Sequence, residues 1–144
     1  MKLTEHFSLE EFEFSSTAQA RGIVNHCPES LIPNLKNLCE QVLEPLSEHV
    51  QEPVIISSGY RCPQLNKLVG GVSNSQHMTG EAADIHLSDP KKLREWFVWL
   101  MDNTNFDQLI LERASKTSTH YWIHVSCRSD PSKNRHQVKF ITKS

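Results

Sequence analysis

Apolar residues recur at Leu31, Leu35, Leu38, Val42 and Leu46, each three or four positions after the one before. A strand cannot bury that set, because its side chains alternate between faces, whereas a helix returns to one face about every 3.6 residues. The chain from Pro28 onward is therefore committed to an amphipathic helix with one side in a core. Pro33 falls near its first turn, where a missing N–H costs little, and Pro45 falls near its end, where it is expected to kink or terminate the helix.

The rest of the chain reads as short elements around this helix. Ser8 followed by Glu11 is a capping-box pattern and predicts a short helix there, with Ser15-Ser16-Thr17 as a break after it. Pro53 to Gly59 carries a β-branched run closed by Ser and Gly, and is expected to be a buried strand. Cys62 to Val69 predicts a short helix stopped by Gly70-Gly71, and Val72 to Gly80 a polar loop. Ala82 to Leu87 predicts a second short strand. Asp89-Pro90 opens another helix, with Pro at its first position and Leu93, Trp96, Phe97 and Leu100 on its apolar side. Trp96, Phe97 and Trp99 read as core or helix-surface aromatics. Strands follow at Asp107–Glu112 and His120–Cys127, joined by a polar loop, and at Gln137–Ile141. Helices come early and strands late, which favours an α+β fold with a small, mostly antiparallel sheet covered on one face by helices. Residues 1–144 read as one domain, with neither a repeat nor a linker.

Charge and composition narrow the function classes. Lys and Arg number 15 against 17 Asp and Glu, for a net −2. No clustered cationic excess of the kind that grips polyanions is visible, so neither nucleic acid nor a membrane surface is an expected partner. The basic residues Lys133, Arg135, Lys139 and Lys143 read as a solvated face. No apolar run approaches the roughly 18 residues of a membrane span. The start, Met1 to His6, lacks the apolar core of a secretory signal, so synthesis in the cytoplasm is expected. Cys27, Cys39, Cys62 and Cys127 are widely spaced and read as reduced thiols. A monomer is the expected oligomeric state.

The segment Ser75-Gln76-His77-Met78-Thr79-Gly80-Glu81-Ala82-Ala83-Asp84 carries the chemistry. Small residues between His77 and Asp84 allow a tight turn that brings an imidazole and a carboxylate to one point. His124, in Tyr121–Ser126, offers a second imidazole. Two neutral imidazoles and one carboxylate make a catalytic zinc shell with a fourth position for water. On residues alone, a His or Asp in a strand is more often a hydrogen-bonded structural residue than a ligand. His86 shares the face of Asp84 and reads as structural.

Three motifs in order, Ser57-Ser58-Gly59-Tyr60-Arg61, Ser75-x-His77-x-x-Gly80-x-Ala82-x-Asp84 and Trp122-Ile123-His124-Val125-Ser126, resemble the family of zinc D-Ala-D-Ala peptidases. The likeness is to its small carboxypeptidase domain, often found in phage and prophage cell-wall hydrolases, with a Hedgehog/DD-peptidase-like fold. It implies His77, Asp84 and His124 as zinc ligands and Arg61 as the arginine that meets substrate carbonyl or carboxylate groups, a task its planar guanidinium suits. It places Ser75 either against substrate or as a brace for its loop. It implies the stem peptide of peptidoglycan as substrate, cut at D-Ala-D-Ala or L-Ala-D-Glu, with action at the cell wall after release. Several relatives carry a glutamate three residues before the last ligand, where this chain has Tyr121. Alternation puts Gln108, Ile110 and Glu112 on one face and Trp122, His124 and Ser126 on another. A hairpin between these strands brings Glu112 to the side of His124, so Glu112 is the expected base and His120 the runner-up. Without the usual glutamate, a non-catalytic zinc module that binds the wall or builds a phage particle is the alternative function.

Overall fold

The computed structural model describes residues 1–143. A small hairpin of β1 (Lys2–Thr4) and β2 (Phe7–Ser8) leads into α1 (Leu9–Glu13), where the Ser8 N–H donates to Glu11 Oε1 at 3.0 Å as the capping box requires. The polar stretch after it is no simple break. Ser15 Oγ accepts from the Ala18 N–H and caps a second helix, α2 (Ser16–Arg21).

The long amphipathic helix begins as α3 (Ile32–Leu38) and ends as α4 (Glu44–Val50). Pro45 does not terminate it. A π turn at Cys39–Leu43 lies between, in which the Glu44 N–H donates to the Cys39 carbonyl five residues back. Widening the helix by one residue just ahead of a proline accommodates a position that cannot donate, so the apolar face continues across it. Leu35, Leu38, Val42, Leu43 and Leu46 are fully buried on that face.

Five strands form the main sheet in the order β3 (Ile55–Ser58), β4 (Ala82–His86), β6 (Tyr121–Ser126), β5 (Gln108–Arg113), β7 (Gln137–Thr142). All neighbours are antiparallel except β5 and β7, which run parallel. The architecture is therefore α+β, as expected. The expectation of a buried strand near Ile55 is corrected: β3 is an edge strand, and Ile55 is 51% exposed. Ile and Val favour any pleated surface, so their presence does not separate a central strand from an edge.

One face of the sheet is apolar. Ala83 and Ile85 of β4, Leu109 and Leu111 of β5, and Ile123 and Val125 of β6 join a common core with the helices. α6 (Pro90–Asn103) lies against β5 and β6, and α4 against α6. Asp89 caps α6 by accepting from the N–H groups of Lys91 and Lys92. Trp96 and Phe97 are buried, while Trp99 stacks on His49 at 4.4 Å between ring centroids. The predicted helix at Cys62–Val69 is α5 (Pro63–Leu68), and the loop after it contains a 3₁₀ turn, Gln76–Thr79. All four cysteines are free thiols; burial pushes Cys27 up to about 11. Among the described residues, no helix is long and apolar enough to cross a membrane.

Ile85 is fully buried and sits next to Asp84. Replacing it with Ala removes core volume that neighbours cannot refill, so Ile85→Ala should cost about 2–5 kcal/mol. Urea unfolding is expected to show a lower midpoint with an unchanged slope.

Candidate metal centre

The polar face of the sheet is read row by row across the strands. Ser58, Asp84, His124, Ile110 and Lys139 occupy one row. His86, Trp122, Glu112 and Ile141 occupy the next. A cleft of about 870 Å³ opens over these rows, walled by Arg61 and by the loop that carries Ser75 and His77.

His77 arrives from the 3₁₀ turn. Ser75 opens that turn, and its Oγ accepts from the His77 N–H at 3.2 Å. Gly80 closes it in the left-handed region, at φ +74°, with the Leu31 carbonyl 3.1 Å from where a Cβ would stand. The His77 ring is fixed by a 2.7 Å hydrogen bond between Nδ1 and the Gly59 carbonyl. A carbonyl only accepts, so Nδ1 carries the proton and Nε2 presents its lone pair. That lone pair faces Asp84 Oδ1 at 3.4 Å, and His124 Nδ1 faces the same oxygen at 3.0 Å. Arg61 holds the other oxygen, with Nη2 at 3.6 Å from Asp84 Oδ2.

Burial alone would raise the pKa of Asp84. His77 and His124 outweigh it and hold the carboxyl well below the usual carboxylate range. The carboxylate is thus charged, and it stands beside two imidazole nitrogens in a buried pocket, a donor set of the kind that holds a metal ion. One donor atom each from His77, Asp84 and His124 lies within 4.8 Å of the others. Tetrahedral zinc with bonds of about 2.0–2.2 Å separates its ligands by roughly 3.3–3.5 Å, so the donor set fits that ion. Three donors with an open side suit a catalytic site, whereas structural zinc is closed by four.

An α+β sheet with a three-donor set at the floor of an open cleft belongs to the class of metal-dependent hydrolases. The model of the peptidase M15 family matches residues 5–126, and the chain belongs to that family of metallopeptidases, whose members are zinc-dependent. No curated protein matches the chain.

The other residues singled out in the sequence also border the cleft. Glu112 stands opposite Trp122, whose Nε1 donates to Glu112 Oε2 at 3.0 Å. It is diagonal to His124, a separation of roughly 7–8 Å in an antiparallel pair. His120 lies at the rim, tilted against Trp122 at 5.4 Å and 6.1 Å from His86. Arg61 Nε donates to Ser58 Oγ at 3.0 Å and Nη1 to Asn66 Oδ1 at 3.3 Å, so its head is aimed before any ligand arrives. Ser75 braces the His77 turn at the cleft wall.

The basic residues Lys133, Arg135, Lys139 and Lys143 are solvent-exposed, as a solvated face requires, and three of them also border the cleft. Arg135, Lys139 and Lys143 line the cleft, together with Arg128. Strand order decides this, because β7 docks alongside β5 and turns its cations toward the polar face. Asp107, which the sequence did not single out beyond a strand start, anchors this wall. It has no exposed surface, accepts from Arg135 Nη2 at 2.8 Å and Arg128 Nε at 3.0 Å, and accepts from Gln76 Nε2 at 3.0 Å. One carboxylate thus ties the His77 turn to the cationic wall.

Gly59 has a tight neighbour, since a Cβ there would lie 2.6 Å from Phe12 Cα. Gly59→Ala must displace the carbonyl that orients His77, and zinc affinity is expected to fall about 10–100-fold in chelator competition. Burial would raise the pKa of Asp107, but its bonds to Arg135, Gln76 and Arg128 hold it well below the ordinary range. A carboxylate depressed in the fold adds stability above its unfolded pKa of about 3.9, and that stability is lost as pH falls toward the folded value. Asp107→Asn should therefore lose about 1–3 kcal/mol at pH 7 and show a flatter decline below roughly pH 4. Denaturant titrations across pH check both effects.

Proposed function

We propose that the protein is a zinc peptidase that cleaves stem peptides of peptidoglycan, at D-Ala-D-Ala or L-Ala-D-Glu, and that it acts at the cell wall. The convergence of His77, Asp84 and His124 in an open cleft, within a chain of the peptidase M15 family, carries this reading. His77 Nε2, Asp84 Oδ1 and His124 Nδ1 would hold the ion. Zinc there supplies Lewis acidity, which makes water nucleophilic near neutral pH and polarises a carbonyl.

The remaining steps belong to the protein. Glu112 takes the proton of the attacking water as the new C–O bond forms, then passes it to the amine nitrogen, and the peptide C–N bond breaks as the carbonyl re-forms. Trp122 Nε1 holds Glu112 Oε2 and fixes the plane of the carboxylate, while Oε1, with Lys143 Nζ 3.8 Å away, is the oxygen for proton transfer. Arg61 binds the substrate carbonyl or terminal carboxylate and offsets the negative charge that grows during attack. Ser58 and Asn66 keep it aimed, so little order is lost when substrate binds. Ser75 sets the height of the His77 turn. His120, at the rim, is the second group able to exchange a proton with the leaving amine.

Glu112→Gln should retain zinc and lower kcat by about 10²–10⁴, the usual worth of a positioned acid–base group. His120→Ala should cost less than Glu112→Gln if Glu112 is the base, and the reverse order would transfer that role to His120. Digestion of purified peptidoglycan by the zinc-loaded protein, read by mass spectrometry, names the bond. His77→Ala should lose zinc by elemental analysis, and undiminished zinc would refute the ligand set.

A further inference from the structure

The cleft is cationic in a chain whose net charge is negative. Arg61, Arg128, Arg135, Lys139 and Lys143 border it, while Asp84 and Glu112 are its acids and Asp107 lies buried behind the wall. Counting all three acids still leaves a positive excess there, against −2 for the whole chain. Most of these cations are already engaged. Arg61 faces Asp84, while Arg128 and Arg135 hold Asp107. Lys143 Nζ lies 3.8 Å from Glu112 Oε1 and 5.6 Å from the centroid of the Trp122 ring. Lys139 has no ion pair among the described residues, and its side chain borders the cleft.

The position of Lys139 is set by strand register. It shares the row of Asp84, His124 and Ile110, with Ile110 beside it on β5. Neighbouring strands are about 4.8 Å apart, so two strand spacings put Lys139 about 10 Å from His124. An extended peptide advances about 3.3 Å per residue, and three residues cover that span. Along the row a bound peptide would meet the ligand set, then the apolar side chain of Ile110, then an ammonium group.

We infer that Lys139 is a specificity-determining residue that binds a substrate carboxylate about three residues from the scissile bond, so that the preferred substrate is an acidic peptide. The inference rests on the peptidase reading for the position of the bond, and on the sheet register for the position of the charge. An ammonium at the end of a flexible stem adapts to a carboxylate without a fixed geometry, and it also draws an anionic peptide into the cleft from a distance.

Pairs of synthetic stem-type peptides that differ only in Glu or Gln, three residues to either side of the cut bond, test this. Cleavage kinetics and calorimetric binding are read in parallel on the zinc-loaded protein. The Glu peptide of one pair is expected to be favoured about three- to tenfold in Kd and kcat/KM, less so at high salt. In Lys139→Gln that ratio should fall to near one, and in Lys139→Glu it should invert. Lys139 is solvent-facing, so neither change opens the core. No preference in the parent protein, or a preference unchanged in Lys139→Gln, would overturn the subsite. Cleavage without preference refutes the subsite and leaves the peptidase reading standing. A calorimetric preference without cleavage does the opposite, and absence of both binding and cleavage refutes the two together.

Discussion

Asp84 and His124 face each other because β4 and β6 pair in one register, from Ala82 with Ser126 to His86 with Trp122. Between these polar residues lie Ala83, Ile85, Ile123 and Val125, all fully buried on the other face. A slip by one residue would turn the donors into the core and the apolar side chains into the cleft. Burying each of the larger three is worth about 1.5–3 kcal/mol, so the slipped register loses several kcal/mol before any polar group is counted. The core thus fixes the position of the donors without help from a metal.

Two further ties complete the centre from outside that strand pair. The Gly59 carbonyl sets the His77 tautomer, and the Arg61 N–H donates to the His77 carbonyl at 3.0 Å. The segment after β3 therefore holds the His77 turn by its ring and by its backbone. The same segment aims the Arg61 guanidinium at the second oxygen of Asp84. Orientation of the imidazole, the carboxylate and the guanidinium is shared among neighbours, so a change at Gly59 acts on all of them.

What was legible in the sequence is what short-range chemistry determines. Asp89-Pro90 and the spacing of Leu93, Trp96, Phe97 and Leu100 marked α6 because capping and helical period are local. Alternation in two adjacent strands was enough to put Glu112 on the side of His124, since a hairpin fixes its own register. Strand order is not local. That β3 lies at an edge, that β7 runs parallel to β5, and that Arg135, Lys139 and Lys143 border the cleft all depend on which strands meet across long separations. The π turn ahead of Pro45 was hidden for a different reason, since the apolar pattern is kept across it and only the backbone hydrogen bonds change. Asp107 gave no motif, because an acid at the start of a strand is ordinary until three partners from distant segments close on it.

The edge position of β3 has a consequence for how copies of the chain meet. An edge strand displays unpaired N–H and C=O groups that another chain can extend into a continuous sheet. Here the exposed ladder is four residues long, Pro53 precedes it without a donor, and the register with β4 shifts between Ile56 and Ser58. Such a strand offers an incoming backbone too few evenly spaced partners to template a longer sheet. The residues that give β3 its irregular pairing also lead into Gly59 and Arg61, so the bend that serves the centre discourages edge-to-edge association as well.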